Sequence, residues 1–226
     1  MDKVIGVLND VPFTVGETIL ELSYLLAALL FVFGLKRLSH PETARKGNMY
    51  AGAGMLLAMI TTILLHKNDQ GNGIALANIW IILSAIGVGT TIGWIVARKI
   101  RMTAMPQLVS LYNGTGGGAS MLVALLEYPH GDMTQWGTVL VTLLGLIVGS
   151  VTFSGSMIAY GKLDGKVGDI RSKNMKYVNM LLLAIIVVLG AYMMLSGKQP
   201  ADLSWELYGL FVIALVYGVL FVRCSE

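Results

Sequence analysis

Two short runs in this chain set polar side chains at helical spacing within apolar sequence. In MPQLVSLYNGTGGGASMLVALLE, residues 105–127, Ser110, Asn113, Gly117 and Ser120 follow at intervals of three, four and three, which is one face of a helix. In residues 136–160, Gly145, Gly149, Thr152 and Ser156 are spaced four, three and four. Hydroxyls and amides pass hydrogen bonds in both directions, and an amide on an apolar face is costly unless a partner or water satisfies it. Two chemistries fit. One is tight helix packing glued by hydroxyls, through Gly117, the GxxxG of Gly145 and Gly149, and a second GxxxG at Gly89 and Gly93, beside Thr90 and Thr91 in residues 77–97. The other is a narrow hydrated path between these three segments, because polar residues inside membranes mark such paths. Composition alone leaves both open.

The 105–127 run carries two further signals that conflict with a helix. Gly114, Gly116 and Ala119 fit the loose G-x-G-x-x-G/A pattern, but no strand precedes them and no acidic residue follows at about 20 positions. Asn113-Gly114-Thr115 is a glycosylation sequon, but modification needs a surface loop. The helix reading explains more: Thr103 can cap its start, and Pro106 falls in the first turn, where its missing N–H costs little.

The elements that must hold these faces follow from composition. The 226-residue chain is 55% hydrophobic and 13% charged, against about 25% charged for an average soluble domain. Apolar runs long enough to cross a bilayer recur at roughly 15–35, 49–65, 77–97, 105–127, 136–160, 177–196 and 205–222. Helix is the expected form, since a lipid-facing backbone must satisfy its own hydrogen bonds. The expectation is a single all-α polytopic domain, residues 1–226, with about seven transmembrane helices and no soluble nucleotide domain. The N-terminal MDKVIGVLND has no signal-peptide layout. The one cysteine, Cys224, excludes a disulfide framework and a Cys-rich metal site, and it stands third from the end, so it is not a prenylation box.

Basic residues give the orientation. Lys36, Arg37, Arg45, Lys46, Arg98, Lys99, Arg101, Lys162, Lys166, Arg171, Lys173, Lys176 and Arg223 fall on one side of a seven-span chain, and of the 16 only Lys3, Lys67 and Lys198 fall on the other. The positive-inside rule then puts the N-terminus outside and the C-terminus in the cytoplasm. The net charge of +3 reflects this placement, and no nucleic-acid partner is expected. His40, His66 and His130 sit in loops or at span ends, so none is placed as a mid-membrane relay. Glu17, Glu21 and Glu127 read as interfacial, although Glu127 is also placed to line an entrance. Tyr112, Trp80, Trp94, Trp136 and Trp205 read as packing or interfacial aromatics.

TAMPQLVSLYNGTGGGASMLVAL, VGSVTFSGSMIAYGKLDGK and GLKRLSHPETARKGNMYAGAGM, in their order along nearly the whole chain, resemble the β subunit of proton-translocating (Re/Si-specific) NAD(P) transhydrogenase. That family couples hydride transfer from NADH to NADP+ with proton movement down its gradient. The resemblance implies an inner (plasma) membrane, multi-pass subunit of that enzyme carrying the proton path, with Ser110, Asn113, Thr152 and Ser156 on it. Asn113 stands where some relatives have histidine and others asparagine, and Ser156 matches the serine of a T-F-x-G-S motif. In asparagine-bearing relatives the protonatable histidine is thought to come from the α subunit.

Relatives continue into further spans, a second MP…N motif and a cytoplasmic NADP(H)-binding domain, whereas this sequence stops at VLFVRCSE. A fragment or a split polypeptide is therefore expected. Loops of roughly 9 to 16 residues cannot fold a nucleotide site, which needs about 50 or more, so hydride transfer and cofactor binding are expected elsewhere in the complex. The implied partners are an α subunit, the remaining β segment with its NADP(H) domain, and a second copy of the whole. A nucleotide domain on the cytoplasmic face would meet 36–48, 98–104 and 161–176. A small seven-span channel, carrier or assembly scaffold without redox role fits the packing and charge pattern equally well.

Overall fold

A computed structural model describes residues 4–8, 11–40, 42–67, 73–130, 136–169, 174–196 and 203–224. Lys3, Arg171, Lys173 and Lys198 of the charge count lie outside the described residues. Seven α-helices run through the described residues: α1 Val15–Leu38, α2 Ala44–Leu65, α3 Leu76–Lys99, α4 Met105–His130, α5 Trp136–Leu163, α6 Met175–Leu195 and α7 Ser204–Arg223. The expected all-α polytopic architecture is therefore present. Most helices outrun the apolar runs that announce them, taking in Lys36, Arg37, Lys162 and Arg223. A helix has no reason to stop where lipid does, and cations at its C-terminus suit the dipole.

Six of the seven helices are long and apolar enough to cross a membrane. The other is α4, whose middle holds Asn113, four glycines and two hydroxyl residues. Its 26 residues still give a length of about 39 Å.

A feature not expected from the sequence is a two-stranded antiparallel hairpin, β1 Val4–Leu8 and β2 Val11–Thr14, with Leu8 opposite Val11 and an irregularity between Val4 and Gly6. Its residues are mostly β-branched or aromatic, and Asn9-Asp10 separates the two runs, a strand–turn–strand signal hidden beside seven far longer apolar runs.

The chain forms two compact units, residues 1–98 and 99–226. In the first, α1 and α2 pack as an antiparallel pair on small residues. A Cβ on Gly47 would lie 2.6 Å from the Gly34 carbonyl oxygen, and one on Gly54 would lie 3.0 Å from that of Ala27. The backbones touch there because nothing projects between them. Farther along the pair, the Tyr24 and Thr62 hydroxyls lie 2.8 Å apart. The α3 helix has no buried residue.

The second unit holds the core. Leu143 and Leu146 of α5, Ile186 and Met193 of α6, Leu207, Leu210 and Ala214 of α7, and Met121, Ala124 and Tyr128 of α4 bury together. Large apolar side chains elsewhere are exposed on every helix, the surface expected where lipid, not water, is the solvent.

Candidate functional site: the seam between α4 and α5

The two polar faces meet. The α4 and α5 helices run antiparallel, and their closest contact is made by glycine. A Cβ on Gly149 would lie 2.7 Å from the Met121 backbone nitrogen and 2.8 Å from the Gly117 carbonyl oxygen. One on Gly117 would lie 2.9 Å from both the Gly149 carbonyl oxygen and the Phe153 nitrogen, and 2.8 Å from the Thr152 Cβ. At this separation side chains one or two turns away reach the opposite backbone.

Asn113 and Ser110 use that reach. Asn113 Nδ2 donates to the Ser156 hydroxyl oxygen at 3.0 Å, and Ser110 Oγ donates to the Ser156 carbonyl at 2.8 Å. Ser156 is buried, while Asn113 lies on the exposed side of the seam. Farther along, Ser120 Oγ donates to the Gly145 carbonyl at 3.3 Å. A Cβ on Gly145 would make only ordinary contact, 3.7 Å from Ser120 Oγ. Thus Ser110, Asn113 and Ser156 form one bonded group, Thr152 packs a turn away on Gly117, and Gly145, Gly117 and Gly149 all lie on the same seam.

Gly89 and Gly93 are placed differently. A Cβ on either would meet nothing within 4 Å among the described residues, and α3 belongs to the other compact unit. Within the second unit the far side of α5 is covered by α7. A Cβ on Gly218 of α7 would run into Ser154 Oγ and lie 2.7 Å from the Val151 carbonyl oxygen. Buried Ser150 and Ser154 turn their hydroxyls onto their own helix, to the carbonyls of Leu146 and Ser150 at 2.6 and 2.9 Å. They are satisfied locally and are not part of the bonded group.

Sequence reasoning passed over Gly114, which is buried against the Ser156 Cβ, 3.1 Å from its would-be Cβ, and against the Met157 methyl. Gly114 makes room beside Asn113 for the serine. It also passed over the α5–α7 contact, whose signal is small residues at Ala214 and Gly218, four apart in α7. Thr103, expected as a cap, lies in a short 3-10 turn, Met102–Ala104, ahead of α4. Pro106 is the second residue of α4, and Glu127 lies within the last turn of that helix.

One end of the unit is tied by a second set of bonds. The α5 helix finishes in a Schellman motif: Lys166 N donates to the Gly161 carbonyl at 2.9 Å and Gly165 N to that of Lys162 at 3.0 Å, with Gly165 at φ +72°. Glycine adopts that conformation without a Cβ penalty. The turn leaves Lys162 free to reach sideways, where its Nζ donates to the Val222 carbonyl near the end of α7 at 2.6 Å and pairs with Asp169. Gln107 Nε2, from the start of α4, donates to the Leu163 carbonyl at 3.0 Å. The start of α4 therefore meets the ends of α5 and α7, which carry Lys162 and Arg223. In the loop, Asp164 lies 2.6 Å from Lys166 and raises its pKa above the ordinary lysine value, chiefly by their hydrogen bond.

The bonded group can order hydrogen bonds and water but cannot release a proton at neutral pH, since neither serine nor asparagine titrates there. A proton moved along it needs an ionisable group from elsewhere.

A family model described as NAD(P) transhydrogenase beta subunit matches residues 20–224 of the chain. Two Rhodospirillum rubrum proteins, both named NAD(P) transhydrogenase subunit beta and one from a designated strain, are 42% identical over 153 residues, covering 64% of this chain and 31% of theirs. The chain thus spans about a third of the length of these curated relatives.

Proposed function

This chain belongs to the NAD(P) transhydrogenase beta subunit family, and we propose that it supplies the proton-conducting membrane part of a complex that couples inward proton movement to hydride transfer from NADH to NADP+. The observation that carries the proposal is the bond from Asn113 to Ser156 across the α4–α5 seam. A polar group held at a glycine-lined contact between two long helices, open on its Asn113 side, suits a stretch of water-bearing path.

In this reading the protonatable group meets the seam from the exposed side of Asn113, supplied by an α subunit. Hydride transfer between NAD(H) and NADP(H) takes place in nucleotide domains of the complex, not among these helices. The whole complex is a dimer in an inner (plasma) membrane. The basic ends face the cytoplasm, where the turns around residues 36–48, 98–104 and 161–176 meet the NADP(H) domain. Coupling then requires that the oxidised and reduced states of that domain differ in contact free energy at those turns.

The experiment is Asn113→Leu in the complete complex, reconstituted in sealed vesicles. Leucine suits a lipid-facing or packed position but cannot hold water. Proton pumping driven by NADPH oxidation is followed with a pH dye. Reaction between NADH and an NAD analogue, cycled through bound NADP(H), is measured in parallel, because that route needs no net proton transfer. Pumping is expected to fall at least roughly tenfold, equivalent to about 1.4 kcal/mol on the barrier, while the cyclic reaction survives. Wild-type pumping would return Asn113 to a packing role, and equal loss of both reactions would mark a folding defect.

A further inference from the structure

The turn joining α1 and α2 concentrates positive charge on a rigid base. Lys36 and Arg37 end α1, and Arg45 and Lys46 begin α2. The two helices are in backbone contact at Gly34 and Gly47, next to these four residues. The turn is fixed by hydrogen bonds: Thr43 Oγ1 donates to the Arg37 carbonyl and Ser39 Oγ to the Lys36 carbonyl, both at 2.7 Å, and Gly47 N donates to the Thr43 carbonyl at 2.9 Å. All four cations are exposed, and among the described residues none is ion-paired. Glu42 is the one carboxylate in the intervening sequence.

Arg37 adds directional chemistry. Its guanidinium lies over the Tyr50 ring, 5.2 Å from the centroid, so an α1 cation is held against α2. A guanidinium covered on its face still presents N–H donors along its edge, in the geometry that matches two phosphate oxygens. The same cations adjoin exposed apolar side chains, Leu35 at 64% and Met49 at 68% exposure. In a bilayer these apolar neighbours lie against acyl chains, which an inorganic anion or a soluble acidic protein does not supply. A molecule with a phosphate head and hydrocarbon tails covers both.

We propose that the α1–α2 turn binds an anionic phospholipid, its headgroup phosphate held by Arg37 with Arg45 and Lys46, and its acyl chains lying along Leu35 and Met49. Basic pockets between transmembrane helices are suited to this role, and the close glycine contact sets the cation-bearing ends of both helices side by side. The site does not rest on the proton path, and its headgroup shares the 36–48 turn with the NADP(H)-domain contact proposed above.

The test is lipid retention by the 226-residue chain, measured by native mass spectrometry after release from nanodiscs of mixed phosphatidylglycerol and phosphatidylcholine. Wild type is expected to retain phosphatidylglycerol in preference to phosphatidylcholine. Arg37→Gln/Arg45→Gln is expected to lose that preference and keep its thermal unfolding temperature. Lys99→Gln/Arg101→Gln removes the same net charge elsewhere and is expected to keep the preference. Arg37→Lys, which keeps the charge but loses the planar edge, is expected to retain less than wild type. Excess inorganic phosphate is expected not to displace the lipid. An unchanged preference in Arg37→Gln/Arg45→Gln would overturn the site, as would equal losses in the two double variants. Displacement by inorganic phosphate would assign the turn to free anions instead.

Discussion

Asn113 of α4 and Ser156 of α5 are joined side chain to side chain across 43 positions of sequence, at 3.0 Å. The serine is also held by its backbone, since Ser110 donates to its carbonyl. These two bonds separate the chemistry of the hydroxyl from the position of the helix. Ser156→Ala removes the acceptor of the Asn113 amide and leaves the Ser110 bond in place.

A double-mutant cycle isolates that contact. Interhelical hydrogen bonds in membranes average about 0.6 kcal/mol, with a maximum near 1.7. Unfolding of Ser156→Ala, Asn113→Ala and the double variant in detergent is expected to give a coupling energy of about 0.6 kcal/mol. A coupling indistinguishable from zero would mean that the two side chains do not act as a pair.

Lys162 is expected to matter more than Lys166, although the two lie four positions apart. Lys162 reaches across to the Val222 carbonyl and is 22% exposed, whereas Lys166 is 77% exposed and pairs only within its own loop. Hydrogen bonds to charged groups contribute about 1.5–3 kcal/mol, and partial exposure lowers that. Lys162→Met should therefore cost about 1 kcal/mol and speed hydrogen exchange at the end of α7. Lys166→Met should leave both unchanged, as exposed pairs commonly contribute little. Equal behaviour of the two variants would remove Lys162 as a tie between α5 and α7.

The helices were legible because hydrophobic length is a strong signal, and the α4–α5 seam because Ser110, Asn113 and Gly117 share a period with Gly149, Thr152 and Ser156. Partners were less legible. Gly89 and Gly93 have the same spacing as Gly145 and Gly149, but a Cβ on either would meet nothing within 4 Å among the described residues. A small-residue motif says that a backbone can approach, not which one does. Ser150 and Ser154 look as functional in sequence as Ser156, yet their hydroxyls bond one turn back on their own helix. The Lys162–Val222 tie joins a side chain to a backbone carbonyl 60 positions away, and no residue type at Val222 announces it.

The glycines make a graded series. At Gly149 an added methyl meets backbone at 2.7 and 2.8 Å, and backbone cannot give without moving a helix. Gly149→Ala should cost about 1–3 kcal/mol, the usual range for overpacking, and Gly149→Leu should prevent accumulation. At Gly114 the obstacles are the Met157 methyl and the Ser156 Cβ, so Gly114→Ala should cost less and lengthen the Asn113–Ser156 bond. Gly89→Ala meets nothing and should be neutral or slightly stabilising in the isolated chain, since alanine favours helix by about 1 kcal/mol over glycine. Thermal unfolding of the three alanine variants checks the order, and a Gly149→Ala as stable as wild type would mean that α4 and α5 are not in backbone contact.

Orientation is the last expectation to test, and the charge pattern makes it specific. Within the second unit, the bonds from Gln107 to Leu163 and from Lys162 to Val222 bring the start of α4 and the ends of α5 and α7 to one end. Arg101, Lys162, Lys166 and Arg223 therefore share that end with Cys224, which is partly exposed. The positive-inside rule puts it in the cytoplasm. A membrane-impermeant maleimide added to intact cells is expected to leave Cys224 unlabelled until the membrane is permeabilised. In a Cys224→Ser background, Lys67→Cys, which follows α2 at its other end, is expected to be labelled from outside. Rapid labelling of Cys224 in intact cells, with protection of the residue-67 thiol, would invert the topology and put the α1–α2 and α5–α6 turns on the opposite side of the membrane from a cytoplasmic nucleotide domain.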